Sequence, residues 1–190
     1  MTVPQIPIRK QIVDRSALVA RARALQPLLR EQAAEADAKR SLTEQVHAAL
    51  TDAGMFRIAA PTHFGGYDAD MRTLVEVIEE LGVADASAAW LVAIAAGACS
   101  VVGGMSKEAQ EEIFSNGPDV RIAGSFTPAI AERVEGGVRM TGRWSYASGS
   151  RYAQWAAGAH GMELVERRPV PPLGHFSLIR FRKVEVAAAA

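Results

Sequence analysis

The chain has 190 residues, 49% of them hydrophobic, with 21 basic and 21 acidic side chains. That is enough apolar material for a buried core in one ordinary domain or two small ones, and the balanced charge leaves no field to attract nucleic acid or an anionic membrane. One cysteine, Cys99, excludes an intramolecular disulfide, which fits a reducing cytoplasm.

The opening "MTVPQIPIRKQIVDRS" lacks the apolar stretch of a secretory signal. Leu18, Leu25, Leu28 and Leu29 then recur at helical spacing, with Pro27 expected to kink or divide that helix. "SLTE" reads as a capping box in which Ser41 and Glu44 satisfy each other's amides, opening a helix that Gly54 closes. "MFRIAAPTHFGGYDAD" is punctuated by Pro61, Gly65 and Gly66 and is expected to be an irregular connector. A helix resumes at Asp70, with Leu74, Val77, Ile78 and Leu81 on one face. Asp85 caps the next, from Ala86 to about Val102, whose run "AAWLVAIAAGACSVV" is shorter than a comfortable bilayer span and apolar enough on all sides to be central. A short helix follows Ser106 and ends at Asn116 to Pro118.

Beyond that stop the pattern changes. "DVRIAGSF", "AERVEGGVRMTGRWSY", "QWAAGAHGMELV" and "HFSLIRFRKVEV" show β-branched and aromatic residues in rough alternation, with a hairpin turn expected at Gly136 and Gly137. The four histidines, His47, His63, His160 and His175, have no cysteine or carboxylate at ligand spacing, so no metal site is expected and surface or loop roles are assigned to them. Arg143 and Arg151 are assigned surface roles as well. GxSxG, GxGxxG and GxxxxGK motifs are missing, which disfavours hydrolase, dinucleotide and nucleotide-triphosphate folds.

The ordered set "APTHFGGYDADMRTLVEVIEELGVADASAAW", "AGSFTP" and "GRWSYASG" resembles the N-terminal half of the acyl-CoA dehydrogenase superfamily. The resemblance implies an α+β chain: an all-α domain over residues 1–118, then a partial antiparallel β-barrel-like domain over 119–190, without the family's C-terminal four-helix bundle. It also implies that the site is only half built here, so that the chain is a fragment or has its missing surfaces supplied by another polypeptide. "FTPAIAERVEGG" lacks the glutamate and the GSD of the dehydrogenase loop, whereas "SAAW" and "GRWSYASG" resemble the flavin-dependent monooxygenases of the same fold. These are oxygenase components that take reduced flavin from a separate reductase.

In that branch the resemblance implies FAD or FMN as cofactor and a small aromatic or otherwise apolar substrate. It implies a flavin reductase as functional partner and homo-oligomeric assembly in the cytoplasm. Ser148 falls where the family places a hydroxyl beside the flavin, as the catalytic candidate. Ser125, Phe126 and Thr127 match the segment lining another flavin edge, Trp144 and Tyr146 would alternate on a strand beside the ring, and Trp90 would face the flavin or substrate. Taken alone, Trp144, Tyr146 and Trp90 read as core aromatics and Ser148 as a turn residue. An acyl-CoA dehydrogenase and a non-catalytic interaction module stay open as alternatives.

Overall fold

The computed structural model describes residues 13–125, 130–135, 137–144, 146–158, 162–169 and 177–183. The chain divides into two compact units, residues 1–123 with 148–155, and residues 124–147 with 156–190.

Five helices build the first unit: α1 (Arg15–Lys39), α2 (Glu44–Asp52), α3 (Met71–Gly82), α4 (Ala86–Gly103) and α5 (Lys107–Ile113). Side chains that accept the otherwise orphaned first-turn amides start most of them. Asp70 Oδ1 accepts from Thr73 N at 2.7 Å, Asp85 Oδ1 from Ser87 N and Ala88 N at 2.7 and 3.1 Å, and Ser106 Oγ from Ala109 N at 3.3 Å. At α2 the cap is Thr43, whose Oγ1 accepts from Val46 N, and not Ser41. The expected capping box does not form because the Ser41 hydroxyl is engaged by Tyr152.

Pro27 lies inside α1 without dividing it. A proline deletes one backbone hydrogen bond, but Leu18 and Ala22 are buried before it and Leu29 and Ala36 after it, so packing on both sides holds a single helix. Arg23 reinforces α1 against α3 with two hydrogen bonds to the Glu80 carboxylate, at 2.6 and 3.1 Å, and Gln26 Nε2 donates to the Glu80 carboxylate and carbonyl at 2.8 and 2.9 Å. Between them lies a core that includes Leu50, Ile58, Val77, Leu81 and Val92. Each such side chain, fully buried, contributes about 1.5–3 kcal/mol relative to exposure.

The connector from α2 to α3 contains two 3₁₀ turns, Met55–Arg57 and Thr62–Phe64, as its glycines and proline led one to expect. It closes on itself through Tyr67 N, Asp68 N and Ala69 N donating to the carbonyls of Arg57, Ala60 and Ile58. α4 is less central than its uniform apolarity suggests: Ala88, Ala89, Val92, Ala95, Ala96, Cys99 and Val102 are buried, while Trp90 and Val101 are exposed. Burial pushes the Cys99 thiol up to about 11, so it behaves as a small apolar side chain.

Strands begin at β1 (Ile122–Ser125), which pairs with β4 (Trp155–Gly158). In the second unit, β2 (Ile130–Val134) and β3 (Gly137–Thr141) form an antiparallel hairpin with Ile130 opposite Thr141 and Val134 opposite Gly137. Gly137 therefore belongs to the strand and not to the turn; Gly136 lies outside the described residues. β5 (Met162–Pro169) and β6 (Ser177–Lys183) are also antiparallel, with a register shift between Leu164 and Glu166. Among the described residues the strands pair in twos.

Gly66 marks the tightest approach in the connector, because a Cβ there would stand 2.0 Å from the Ala60 carbonyl oxygen. At Gly97, on an exposed position of α4, nothing lies within 4 Å. Gly66→Ala is expected to lower stability by more than about 2 kcal/mol, the range of a backbone clash, and Gly97→Ala to raise it by about 0.5–1 kcal/mol through helix propensity. Urea unfolding of the two variants checks this; matching midpoints would contradict it.

Candidate functional site

The segment after "GRWSY" turns back to the helical unit. Gly149 adopts φ +79 and the Tyr152 amide donates to its carbonyl at 2.9 Å, which makes residues 148–152 a turn. Glycine is needed at this point for the left-handed backbone, while a Cβ would meet only Leu91 Cδ2, at an ordinary contact distance of 3.4 Å.

Tyr152 fastens that turn. Its hydroxyl donates to the Leu42 carbonyl at 2.7 Å and receives the Ser41 hydroxyl, and its ring stacks on His47 with centroids 4.5 Å apart. Its own carbonyl accepts from Arg121 Nε at 3.0 Å. The arginine's backbone amide donates to Gln154 Oε1 at 2.9 Å, and its carbonyl accepts from Gln154 N at 3.0 Å. The Arg121 guanidinium lies over the Phe56 ring, 5.2 Å from its centroid.

A half-open cleft forms where these parts meet, lined by Phe56, Leu91, Ile94, Arg121, Ser148 and Tyr152 among others, with about 20 Å³ of space, room for one water-sized group. Its wall is mostly apolar, with Arg121, Ser148 and Tyr152 as the lining residues that bear polar groups. Trp90 stands outside the lining, but its indole N–H donates to Ser148 Oγ in a long bond of 3.4 Å. With that bond the serine oxygen is an acceptor for Trp90 and keeps its own proton for another acceptor.

Of the residues expected from the sequence, the structure brings together Ser148 and Trp90. Ser125 ends β1, and Phe126 and Thr127 lie outside the described residues. β3 stops at Thr141, so Trp144 and Tyr146 do not alternate along a strand. Instead the Trp144 indole covers Gly142, within 3.1 Å of where a Cβ would be, and Tyr146 is 96% exposed in a left-handed conformation with φ 60. Gly142, over which the Trp144 ring folds, and the left-handed backbone at Tyr146 break the alternation that the aromatic spacing suggested.

Arg121 and Tyr152 carry the cleft and were not singled out from the sequence. The available signal was an arginine opening an apolar strand in "DVRIAG", where a charge enters a buried run. His47, assigned a surface role, is half-buried between Phe56 and Tyr152. Among the described residues no group of three or more metal-ligating side chains occurs.

Residues 15–115 match the sequence profile of the acyl-CoA dehydrogenase N-terminal domain. The chain belongs to the acyl-CoA dehydrogenase family. Among its relatives, the oxygenase component of FADH(2)-dependent resorcinol hydroxylase from Rhizobium sp. (strain MTP-10005) is 33% identical over 81% of this chain and 38% of that protein. The flavin-dependent monooxygenase oxygenase subunit HsaA of Rhodococcus jostii (strain RHA1) is 34% identical over 77% of this chain and 38% of its own length. Solved structures agree: 3-HSA hydroxylase from Rhodococcus sp. RHA1 superposes with TM-score 0.72 at 32% identity over 77% of this chain and 39% of that one. XiaF from Streptomyces sp., in complex with FADH2 and glycerol, superposes with TM-score 0.73 at 27% identity, over 77% of this chain and 38% of that one. This acyl-CoA dehydrogenase family chain thus spans about two-fifths of the length of the curated relatives it matches.

Within the family's helical domain, His47 has a measurable signature. Burial first, and the Arg121 charge second, hold its imidazole below the ordinary value of 6.5. An unfolded histidine takes up a proton near 6.5 while the folded one resists it, so the stability tied to neutral His47 is complete above that value and is lost as pH falls through it. The expected outcome is a denaturation midpoint that drops between about pH 7.5 and pH 5.5 and drops less in His47→Gln; an identical pH slope in both proteins would show that His47 makes no such contribution.

Proposed function

We propose that this chain carries part of the flavin site of an oxygenase component, one that uses reduced FAD or FMN and O₂ to hydroxylate a small aromatic or otherwise apolar substrate. The observation that carries the reading is Ser148, whose hydroxyl oxygen receives the Trp90 indole N–H at 3.4 Å and which lines a mostly apolar cleft together with Arg121. Several relatives and structural neighbours are named as flavin-dependent oxygenases or hold a flavin, which supports the same reading.

The residues present fit a flavin edge chemically. A reduced flavin supplies the activation of O₂ when bound. Around it, Ser148 would donate its remaining proton to a ring nitrogen or carbonyl, with Trp90 fixing the direction of the serine lone pairs. Leu91, Ile94 and Ala95 would exclude water, strengthening each hydrogen bond made in the cleft. The turn fastened by Tyr152 limits the drift of Ser148, which matters because hydrogen bonding falls off steeply with geometry. Ser125, Phe126, Thr127, Trp144 and Tyr146 remain proposed contributors to further flavin contacts.

A separate flavin reductase, homo-oligomeric assembly and a cytoplasmic setting belong to the same proposal. Because the chain spans 38% of the curated relatives' length, flavin binding is the step that its own residues test most directly.

The experiment is an anaerobic titration of the purified chain with reduced FMN and reduced FAD. Binding of one or both is expected, with Ser148→Ala weakening it roughly fivefold, the equivalent of one lost hydrogen bond of about 1 kcal/mol. Circular dichroism of the variant should match the parent. Equal flavin affinity in parent and Ser148→Ala would remove Ser148 from the site, and failure of the parent to bind either flavin would defeat the proposal for this chain.

A further inference from the structure

Two arginines lie near Asp119, and only one of them is neutralised by it. Arg57 takes the carboxylate with both nitrogens of one edge, Nε donating to Oδ1 at 2.9 Å and Nη2 to Oδ2. Arg121 forms no ion pair among the described residues. Its Nε donates to the Tyr152 carbonyl, and its Nη1 is buried without a hydrogen-bond partner. Taking a guanidinium out of water is costly unless a counter-charge and full hydrogen bonding offset the loss, and one carbonyl with the face of Phe56 does so only in part. Burial lowers this guanidinium's proton affinity, and the nearby Asp119 charge opposes that only in part.

Among the described residues, His47 Nε2 is the other buried side-chain nitrogen or oxygen without a hydrogen-bond partner. As a neutral imidazole it could accept a donor, but it adds no counter-charge for Arg121 beyond the partial one from Asp119, whose carboxylate is already paired with Arg57. An anionic oxygen answers both the free donors and the charge. The cleft that Arg121 lines has little polar surface, so an ion pair formed in it is weakly screened.

We infer that Arg121 is the anion-recognition group of the Ser148 cleft, taking the carboxylate or phenolate oxygen of a small ring-bearing ligand whose apolar body packs on Leu91 and Ile94. The cleft is half open and its roughly 20 Å³ of space suits an oxygen-sized head and not a ring, so the ring would lie at its open side. Guanidinium suits this role because its planar fork keeps its charge at any ordinary pH and presents several donors at once. The inference names the substrate class for the flavin-dependent reading of the same cleft and rests on that reading for what happens to the ligand.

The test uses the full chain and three probes: phenylacetate, 4-nitrophenolate and the neutral phenylacetamide, measured by calorimetry. Phenylacetate or 4-nitrophenolate should bind at least about tenfold more tightly than phenylacetamide, as a charge-assisted bond requires. Arg121→Met should abolish that preference, while Arg121→Lys, which keeps the cation, should retain part of it. Circular dichroism of both variants identifies a loss of fold, and in that case the lysine variant alone decides. Equal binding of anionic and neutral probes, binding of none of them, or an undiminished preference in Arg121→Met would overturn the inference. Reduced-flavin titration of the same proteins separates the two readings: anion preference without flavin binding defeats the flavin proposal and leaves Arg121's role standing. Flavin binding without anion preference does the reverse.

Discussion

Tyr152 fixes the part of the molecule on which the candidate site depends. Three of its groups are held by four residues: the hydroxyl by Leu42 and Ser41, the ring by His47, the carbonyl by Arg121. The chain leaves the helical unit after Ala123 and re-enters it at Ser148, so without such a tie residues 148–155 would have only a turn's own hydrogen bonds to hold them. A short surface turn of that kind ordinarily samples many conformations. Fastened at Tyr152, it presents the Ser148 hydroxyl to Trp90 and seats Gly149 against Leu91.

The tie also rearranges what precedes it. By engaging Ser41, Tyr152 takes that hydroxyl from the start of α2, and the helix is capped two residues later by Thr43. His47, one turn into α2, is drawn under the tyrosine ring and out of water, which is why its imidazole favours the neutral form. Arg121 holds the other end of the assembly by donating to the tyrosine carbonyl. A sequence-distant segment thus sets both the cap of one helix and the charge state of a residue inside it.

Local rules carried the helical unit a long way. The caps at Asp70, Asp85 and Ser106 and the apolar stripe of α3 are near-neighbour effects, and they were legible in the residues themselves. The order of "FGGYDAD", "ADASAAW", "AGSF" and "GRWSYASG" also made the family legible, with Ser148 as its residue of interest. What escaped was decided at long range. Pro27 is overruled by burial on both sides, and the "SLTE" box is overruled by a partner 111 residues away. Trp144 and Tyr146 have strand-like spacing, but neither lies on the face of a strand: one folds over Gly142, and the other takes φ 60. The cleft residues Arg121 and Tyr152 lie 31 positions apart and acquire meaning only as a pair.

α4 shows how one helix can serve both the core and the cleft. It has 18 residues with a mean hydropathy of 1.8, long and apolar enough by composition to cross a membrane, yet its apolar positions do different work around its circumference. Small residues, Ala88, Ala89, Ala95 and Ala96, lie with Val92 in the main core, where α3 also packs. Leu91 and Ile94 turn to the cleft, and Trp90 carries the one indole N–H on the helix to Ser148. Trp90 is 60% exposed, which is expensive for so large a ring unless its polar edge is needed where it stands. A uniformly apolar helix thus divides its residues by size, with small ones on the packed side and its largest beside the cleft's serine.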